Sequence, residues 1–309
     1  MGENRKLKER DIYLNKLIAF QDTEPVKVIT GIRRCGKSSL LKLMQEHLLQ
    51  SGVKQEQIIA INFESLEFQE MSYKDLYAYV KNKISKNQRS YLFFDELQRI
   101  YQWENAINSF RVDFNCDIYI TGSNSYLLSS EYSTYLAGRY IEVKMYPLSF
   151  KEFIDFHGYI LKDYQTPIGE TKKRAWKENG EIAETRDLLD AYMRYGGMPG
   201  IADFGLEQDR VMTVLDGIYS TVVLRDILER EKRRGQRQIT DAELLRKIIL
   251  FLADNIGNTT SLNSVSNTLV SENLLENRER QGRPATQTIA TYVTVQKSHW
   301  VESASHDRL

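Results

Sequence analysis

Apolar and polar positions follow two different periods along the first half of the chain. Short, continuous apolar or β-branched runs lie between longer segments in which apolar residues recur at helical spacing. The runs occupy residues 26–30, 58–63, 90–96, 117–123 and 140–145, and the helical segments occupy 11–20, 38–50, 73–84 and 103–112. Strands buried on both faces that alternate with helices are typical of a parallel sheet. The pattern predicts an α/β domain over residues 1–146, built on a doubly wound parallel sheet.

The periodicity changes after Pro147. Helical spacing of apolar residues dominates three segments, 150–156, 186–195 and 208–231. A polar insert at 162–180, which contains a run of lysine and arginine, interrupts them, and such charge runs are mostly solvated faces or loops. We therefore predict an α-helical lid domain over residues 147–235.

The last part of the chain predicts a second, smaller helical domain over residues 236–295. Apolar periodicity marks three short helices there, at 242–253, 262–269 and 286–295. Their lengths and spacing favour a winged-helix-like module, in which Arg278, Arg280 and Arg283 would meet phosphates of DNA. A small helical bundle that binds protein, or nothing, is the alternative. Residues 296–309 are polar and aperiodic, and we expect a disordered or aberrant tail.

Composition narrows the class of protein. Lysine plus arginine and aspartate plus glutamate both number 42, so the chain as a whole carries no basic signal for nucleic acid. Two cysteines do not form a disulfide framework, and four scattered histidines argue against a structural zinc site. The first ten residues are charged, and the longest apolar run, 248–253, is far too short to span a bilayer. We expect a cytoplasmic protein without a membrane partner.

One stretch carries specific chemistry, the loop between the first strand and the second helix. It reads G-x-x-x-x-G-K-S, and its residues are Gly31, Ile32, Arg33, Arg34, Cys35, Gly36, Lys37, Ser38 and Ser39. Glycines in such a loop let backbone N–H groups converge on phosphate oxygens, with a helix N-terminus beneath them. Lys37 would reach the β- and γ-phosphates of ATP, and the Ser38 hydroxyl would bind Mg²⁺. The alternative is a glycine-bearing surface loop with an incidental lysine.

Acidic and small polar residues follow two of the predicted strands. Asp95 and Glu96 end an apolar run, where Asp95 would hold Mg²⁺ and Glu96 would deprotonate the attacking water. Alternatively, both acids cap the next helix. Thr121, Ser123 and Asn124 end the fourth strand and would contact the γ-phosphate or the water, unless they serve only as a turn.

Cys35 lies inside the phosphate loop, and this position supports a further hypothesis. A thiol beside amide groups and Lys37 would have a lowered pKa and be open to oxidation. The simpler interpretation is a small residue tolerated at a variable position of the loop.

The order of the motifs GIRRCGKSS, YLFFDELQRI, YITGSN, LAGRYIEV, YPLSFKEF and YGGMPG resembles a prokaryotic family of the AAA superfamily of P-loop ATPases. The resemblance covers about residues 10–290. It implies a Walker A loop at residues 31–39, a Walker B acid at Asp95, a catalytic Glu96 and a sensor position within 121–124.

The same resemblance carries three further implications. Arg139 stands where AAA proteins place an arginine finger that reaches the nucleotide of a neighbouring subunit, which implies a homo-oligomer. Residues 197–199 are similar to a turn whose proline, here Pro199, touches the nucleotide base. Relatives continue beyond the winged helix into a nuclease-like domain that the final residues of this sequence do not resemble, so we expect a truncated or frame-shifted end.

Together these features predict a Mg²⁺-dependent ATPase. Lys37, Ser38 and Asp95 would hold Mg·ATP, and Glu96 would activate water. The alternative function is a nucleotide-gated switch in which hydrolysis is incidental and the C-terminal helical domain engages DNA or a protein partner.

Overall fold

A computed structural model describes residues 7–85, 87–122, 138–219, 242–256, 258–271 and 290 of the chain. The strands of its first sheet are β1 (Val26–Gly31), β2 (Ile58–Asn62), β3 (Ser90–Asp95), β4 (Cys116–Thr121) and β5 (Tyr140–Met145). The helices that accompany them are α1 (Asp11–Ala19), α2 (Lys37–Gln50), α3 (Tyr73–Lys83) and α4 (Trp103–Asp113). All nine elements lie within one or two residues of the segments that the apolar pattern predicts.

The five strands form one parallel sheet in the order β2-β3-β4-β1-β5. Every residue of β1 and of β3 is buried, as expected for strands covered on both faces. Alternate strand residues pack with α3 and α4 on one face and with α1 and α2 on the other. The predicted α/β fold with a parallel sheet is therefore confirmed, and the carboxyl ends of β1, β3 and β4 share one edge of it.

A second, smaller sheet follows, and it corrects the predicted all-helical lid. Between α5 (Phe150–Phe156) and α6 (Thr185–Tyr195) lie three antiparallel strands, β6 (Tyr159–Gln165), β7 (Thr171–Lys177) and β8 (Ile182–Glu184). The prediction of an α-helical segment was thus wrong for residues 159–184. Exposed, mostly polar positions fill most of β6 and β7 taken together, so few apolar residues remain to show the period of a strand.

The two faces of this small sheet explain the polar insert. Leu161, Ala175 and Ala183 are aligned across the three strands, and Ala175 is fully buried in a cluster with residues of α5 and α6. The opposite face carries Lys162, Lys172 and Arg174, and the Arg174 guanidinium lies 4.1 Å from the ring centroid of Tyr164. The burial of β6 and β7 does not alternate, and cations such as Lys162 and Lys173 stand on both faces, so the sequence shows no period of two.

A glycine turn sets the path of the chain after α6. A Cβ atom on Gly197 would lie 2.3 Å from the Leu148 carbonyl oxygen, and the Leu148 N–H donates to the Gly197 carbonyl at 2.6 Å. Only glycine allows two backbones to approach this closely. A 3₁₀ turn, Pro199–Phe204, and helix α7 (Gln208–Ile218) follow.

By contact the chain divides into two units, Met1–Val211 and Met212–Leu309. In the second unit, α8 (Ala242–Asp254) and α9 (Leu262–Ser271) confirm the first two helices predicted for the C-terminal domain. The third predicted helix (apart from residue 290), its three arginines and the tail lie outside the described residues, so the winged helix and its DNA or protein partner stay predictions. Among the described residues, no helix has the length and apolar character needed to cross a membrane.

Candidate functional site

A cleft of about 670 Å³ opens at the carboxyl edge of the parallel sheet. The loop after β1 and the first turns of α2 form one side of it. The remaining lining comes from the N-terminal segment, from residues that follow β2 and β3, from the last residue of β5, from α5 and from the 3₁₀ turn: Leu7, Lys8, Arg10, Glu64, Glu96, Met145, Phe156, Pro199, Gly200, Ala202 and Asp203. In open α/β sheets this edge is where ligands bind.

Two glycines shape the loop between β1 and α2. Gly31 has φ of +144°, and a Cβ atom there would lie 2.4 Å from the Met145 carbonyl oxygen of the neighbouring strand. Gly36 has φ of +102° and occupies the N-cap position of α2. Side chains are disfavoured in both conformations. The glycine spacing of the motif therefore reflects the path that the backbone takes around the cleft.

The N-terminus of α2 faces the cleft. Gly36, Lys37, Ser38 and Ser39 all line it, and Gly36 provides no side chain to cap the first N–H groups of the helix. Such N–H groups, together with the helix dipole, form an anion-binding site. The Lys37 ammonium, on a side chain that is 5% exposed, donates to the carbonyls of Gly31 at 3.0 Å and Ile32 at 3.1 Å. A buried cation thus lies within the curve of the loop.

The two predicted acids lie at the end of β3, linked by a threonine. The Thr121 hydroxyl donates to Asp95 Oδ1 at 2.5 Å and accepts the Glu96 N–H at 3.0 Å. Glu96 has φ of +57°, which turns the chain sharply after the strand. The side-chain amide of Gln98 donates to the Glu96 carboxylate. These bonds fix Asp95 at the sheet edge while Glu96 lines the cleft.

The structure brings most of the predicted site residues into one place. Nine of them line the cleft: Arg33, Arg34, Cys35, Gly36, Lys37, Ser38, Ser39, Glu96 and Pro199. Gly31, Ile32 and Asp95 lie beside it without lining it, and Ser123 and Asn124 lie outside the described residues. Which of these residues bind or act on a ligand stays a prediction.

Arg139 lies at the opposite edge of the sheet. Its carbonyl accepts the Val26 N–H at 3.0 Å, just before the pair formed by Val26 and Tyr140 at the amino ends of β1 and β5. Gly31 stands five residues further along β1 than Val26, a distance of roughly 16 Å at ~3.3 Å per residue. The exposed Arg139 side chain therefore cannot reach the loop of its own chain.

The donor set suits magnesium bound mainly through a nucleotide. Ser38 offers an exposed hydroxyl in the cleft, and Asp95 a carboxylate at the same sheet edge. In the part of the chain that the structure describes, no group of three or more His, Cys, Asp or Glu residues could by itself hold a metal ion. Mg²⁺ typically takes one or two protein ligands and completes its shell with phosphate oxygens and water, so the residues fit that ion.

The sequence pattern missed several residues of the site. Arg10 belongs to a segment that reads only as a polar lead, and no periodicity or motif marks it. Glu64 stands two residues beyond β2, where the sheet-edge rule alone would have pointed to it. Gln98 is separated from Glu96 by one residue, and its side-chain amide reaches the Glu96 carboxylate only because the chain turns between them.

The hypothesis of a reactive Cys35 was wrong. Its side chain is fully buried, and burial raises the pKa of the thiol above its ordinary value despite the nearby Lys37 and Arg10. The thiolate form is therefore disfavoured in the folded protein.

Comparison with known proteins assigns the first part of the chain. Residues 23–154 match the model of a family described as an AAA domain, and residues 186–292 match a domain of unknown function, DUF8612. An uncharacterized protein of Haemophilus influenzae is 39% identical over 267 residues, which are 85% of this chain and 60% of that protein. An uncharacterized protein of Methanocaldococcus jannaschii is 30% identical over 283 residues, 90% of this chain and 56% of that protein. The chain thus spans less than two thirds of the length of these relatives.

Two solved structures match most of the chain at low sequence identity. The Walker-type ATPase PABY2304 of Pyrococcus abyssi matches with a TM-score of 0.49 and 19% identity, covering 93% of this chain and 95% of that one. The Thermotoga maritima RuvB Holliday junction branch migration motor matches with a TM-score of 0.42 and 17% identity, covering 88% and 86%. The family match, the glycine loop and the strand order together show that residues 23–154 form a P-loop domain of the AAA superfamily.

Proposed function

We propose that this AAA domain binds Mg·ATP in the cleft and hydrolyses it to ADP and phosphate. The observation that carries the proposal is that the glycine loop, Lys37 and Glu96 line one cleft at the carboxyl edge of the sheet. An anion site, a buried cation and a carboxylate are the parts that phosphoryl transfer to water requires. A fold by itself does not imply an activity, and it is the residues of this site that support hydrolysis.

The loop and Lys37 would hold the triphosphate. The N–H groups at the start of α2 would donate to phosphate oxygens, and the Lys37 ammonium would exchange its bonds to the Gly31 and Ile32 carbonyls for bonds to phosphate. A cation on a side chain only 5% exposed interacts strongly with phosphate because little water screens it. Pro199 and its neighbours in the 3₁₀ turn would close the cleft around the nucleoside.

Glu96 would orient the attacking water and accept its proton. The Thr121 hydroxyl fixes the Glu96 backbone, and the Gln98 amide holds the carboxylate, so this base is positioned before substrate arrives. Ser38 and Asp95 would hold Mg²⁺, which when bound neutralises charge that develops on the phosphate oxygens.

Two variants and two matched controls test these roles. Lys37→Ala should abolish measurable Mg·ATP binding in isothermal titration calorimetry, whereas Glu96→Gln should bind Mg·ATP but lower kcat by about 10²–10⁴-fold. Lys42→Ala and Glu46→Gln alter exposed residues of α2 and should leave both quantities unchanged. Turnover by Glu96→Gln at the wild-type rate would refute the role of Glu96, and binding with no turnover in the wild type would favour the nucleotide-gated switch.

Arg139 would act on the nucleotide of a neighbouring copy. Its place at the amino edge of the sheet leaves a second subunit as the route by which it can meet a phosphate. Arginine fingers contribute about 10³–10⁵ in rate, so Arg139→Ala should be nearly inactive, whereas the exposed control Arg186→Ala should not. In a mixture of the two variants, an Arg139→Ala subunit supplies an intact loop and a neighbouring Lys37→Ala subunit supplies an intact arginine. The mixture should therefore regain part of the activity that each variant alone lacks. Full activity of Arg139→Ala alone would end this assignment.

A further inference from the structure

Arg10 is a buried cation that joins three separate segments of the first unit. Its side chain is 4% exposed and makes five hydrogen bonds. The acceptors are Cys35 O at 3.1 Å, Tyr146 O at 2.8 Å, Pro147 O at 3.3 Å, Glu152 Oε1 at 2.8 Å and Glu152 Oε2 at 3.0 Å. They belong to the phosphate loop, to the chain that leaves β5 and to α5. A buried guanidinium with every face of its fork engaged holds its partners in one geometry.

The bond to the Cys35 carbonyl determines the orientation of a peptide unit in the loop. A trans peptide is planar, and its C=O and N–H groups point in opposite directions. Because Arg10 binds the Cys35 oxygen, the N–H of Gly36 is directed away from the guanidinium. Gly36 lines the cleft at the start of α2, and its φ of +102° belongs to a region that leaves glycine wide freedom to rotate. Without that bond the peptide would be free to turn its carbonyl, rather than its N–H, toward an anion.

The charge of Arg10 is largely compensated. Glu152 meets it with both oxygens, and the same carboxylate accepts the Ser149 N–H at 2.8 Å and the Ser149 hydroxyl at 2.9 Å. Burial acts to raise the pKa of Glu152, but the hydrogen bonds from Arg10 and Ser149 outweigh it and hold the pKa below its ordinary value. An ionised partner this close cancels most of the field that Arg10 would exert on a phosphate. Its effect on the loop is therefore one of geometry.

We propose that Arg10 is a positioning residue for the triphosphate: it holds the Cys35–Gly36 peptide in the orientation that binds phosphate. The inference rests on the proposed binding of Mg·ATP and adds to it a residue outside the loop motif. Arginine is required because its planar fork meets the Cys35, Tyr146 and Glu152 acceptors at once, which a lysine ammonium cannot do.

The test compares two variants that break different ends of the network. Arg10→Lys keeps the charge but loses the fork, whereas Glu152→Ala removes the anchor on α5 and leaves Arg10 its carbonyl acceptors in the loop and after β5. Both should lower the midpoint of thermal unfolding. Only Arg10→Lys should raise the Kd of Mg·ATP, by about tenfold or more, the equivalent of one hydrogen bond to a charged group. Its KM should rise more than its kcat falls.

The controls separate the possible outcomes. Arg111 lies on α4, is 10% exposed and pairs with Glu24. Arg111→Lys should therefore leave the Kd of Mg·ATP unchanged. A wild-type Kd for Arg10→Lys, or equal loss of affinity in Arg10→Lys and Glu152→Ala, would overturn the inference, since Arg10 would then only stabilise the fold. Absence of Mg·ATP binding by the wild-type protein would instead overturn the proposed function.

Discussion

The stability of the parallel sheet should depend on one buried ion pair. Lys27 of β1 and Asp117 of β4 are both 0% exposed, and Lys27 Nζ lies 2.5 Å from Asp117 Oδ1. Lys27 Nζ also donates to the Thr23 carbonyl at 2.9 Å. The other oxygen of Asp117 accepts the Asp22 N–H at 2.8 Å and the Tyr119 hydroxyl at 2.9 Å. Burial lowers the pKa of Lys27 below its ordinary value even though Asp117 opposes it, so the site strongly disfavours an unpaired charge.

Lys27→Met removes the ammonium and keeps the length of the side chain. Breaking a buried pair from one side costs about 3–5 kcal/mol, because the remaining charge stays in a dry site. Asp117 would retain its bonds to Asp22 and Tyr119, which places the expected loss in the free energy of unfolding near the lower end, about 3 kcal/mol. The double variant Lys27→Met with Asp117→Asn should recover part of that loss, because no unpaired charge remains.

Guanidinium denaturation followed by tryptophan fluorescence measures these changes, since Trp103 is buried in the core of the first unit. The matched control is Glu24→Gln, which breaks a pair with Arg111 at 2.9 Å in which Glu24 is 85% exposed, and it should cost less than about 1 kcal/mol. If Lys27→Met costs no more than this control, the reasoning from burial is wrong.

Three further predictions concern pH, packing and redox chemistry. Burial, with Lys8 and Lys177 nearby, lowers the pKa of His157 from 6.5 to about 4, so the unfolded state binds more protons in that window and stability falls as the pH drops through it. From pH 7 to pH 4.5, His157→Phe should therefore lose about 2 kcal/mol less than the wild type in urea titrations; equal losses would contradict this. Gly197→Ala should lower stability by about 1–3 kcal/mol, because its Cβ would lie 2.3 Å from a carbonyl oxygen, while Gly200→Ala has open space and should cost less; equal melting temperatures would refute the contact. Peroxide should leave Cys35 unmodified and nucleotide binding unchanged in the native protein, and rapid oxidation seen by mass spectrometry would show that the buried thiol is accessible.

Local sequence sufficed for the elements around the cleft. The apolar run of β3 ends at Asp95, and the run of β1 ends at Gly31. These features are readable because they depend on neighbours in the chain: continuous burial for a central strand and glycine where the backbone needs positive φ. The small antiparallel sheet was not readable in the same way, since charged residues such as Lys162 and Lys173 occupy exposed positions of its strands.

By itself, the sequence determined that a glycine loop joins a buried strand to a helix and that two acids end another buried strand, because backbone conformation and burial impose those residue types locally. Only the tertiary structure decided that the strand order places both at one edge, that Arg10 binds the Cys35 carbonyl and that Asp117 neutralises Lys27. Arg10 and Cys35 are 25 residues apart in the sequence, and Lys27 and Asp117 are 90 residues apart. Contacts at such separations depend on how the helices and strands pack, and the periodicity of apolar residues within one segment does not reveal them.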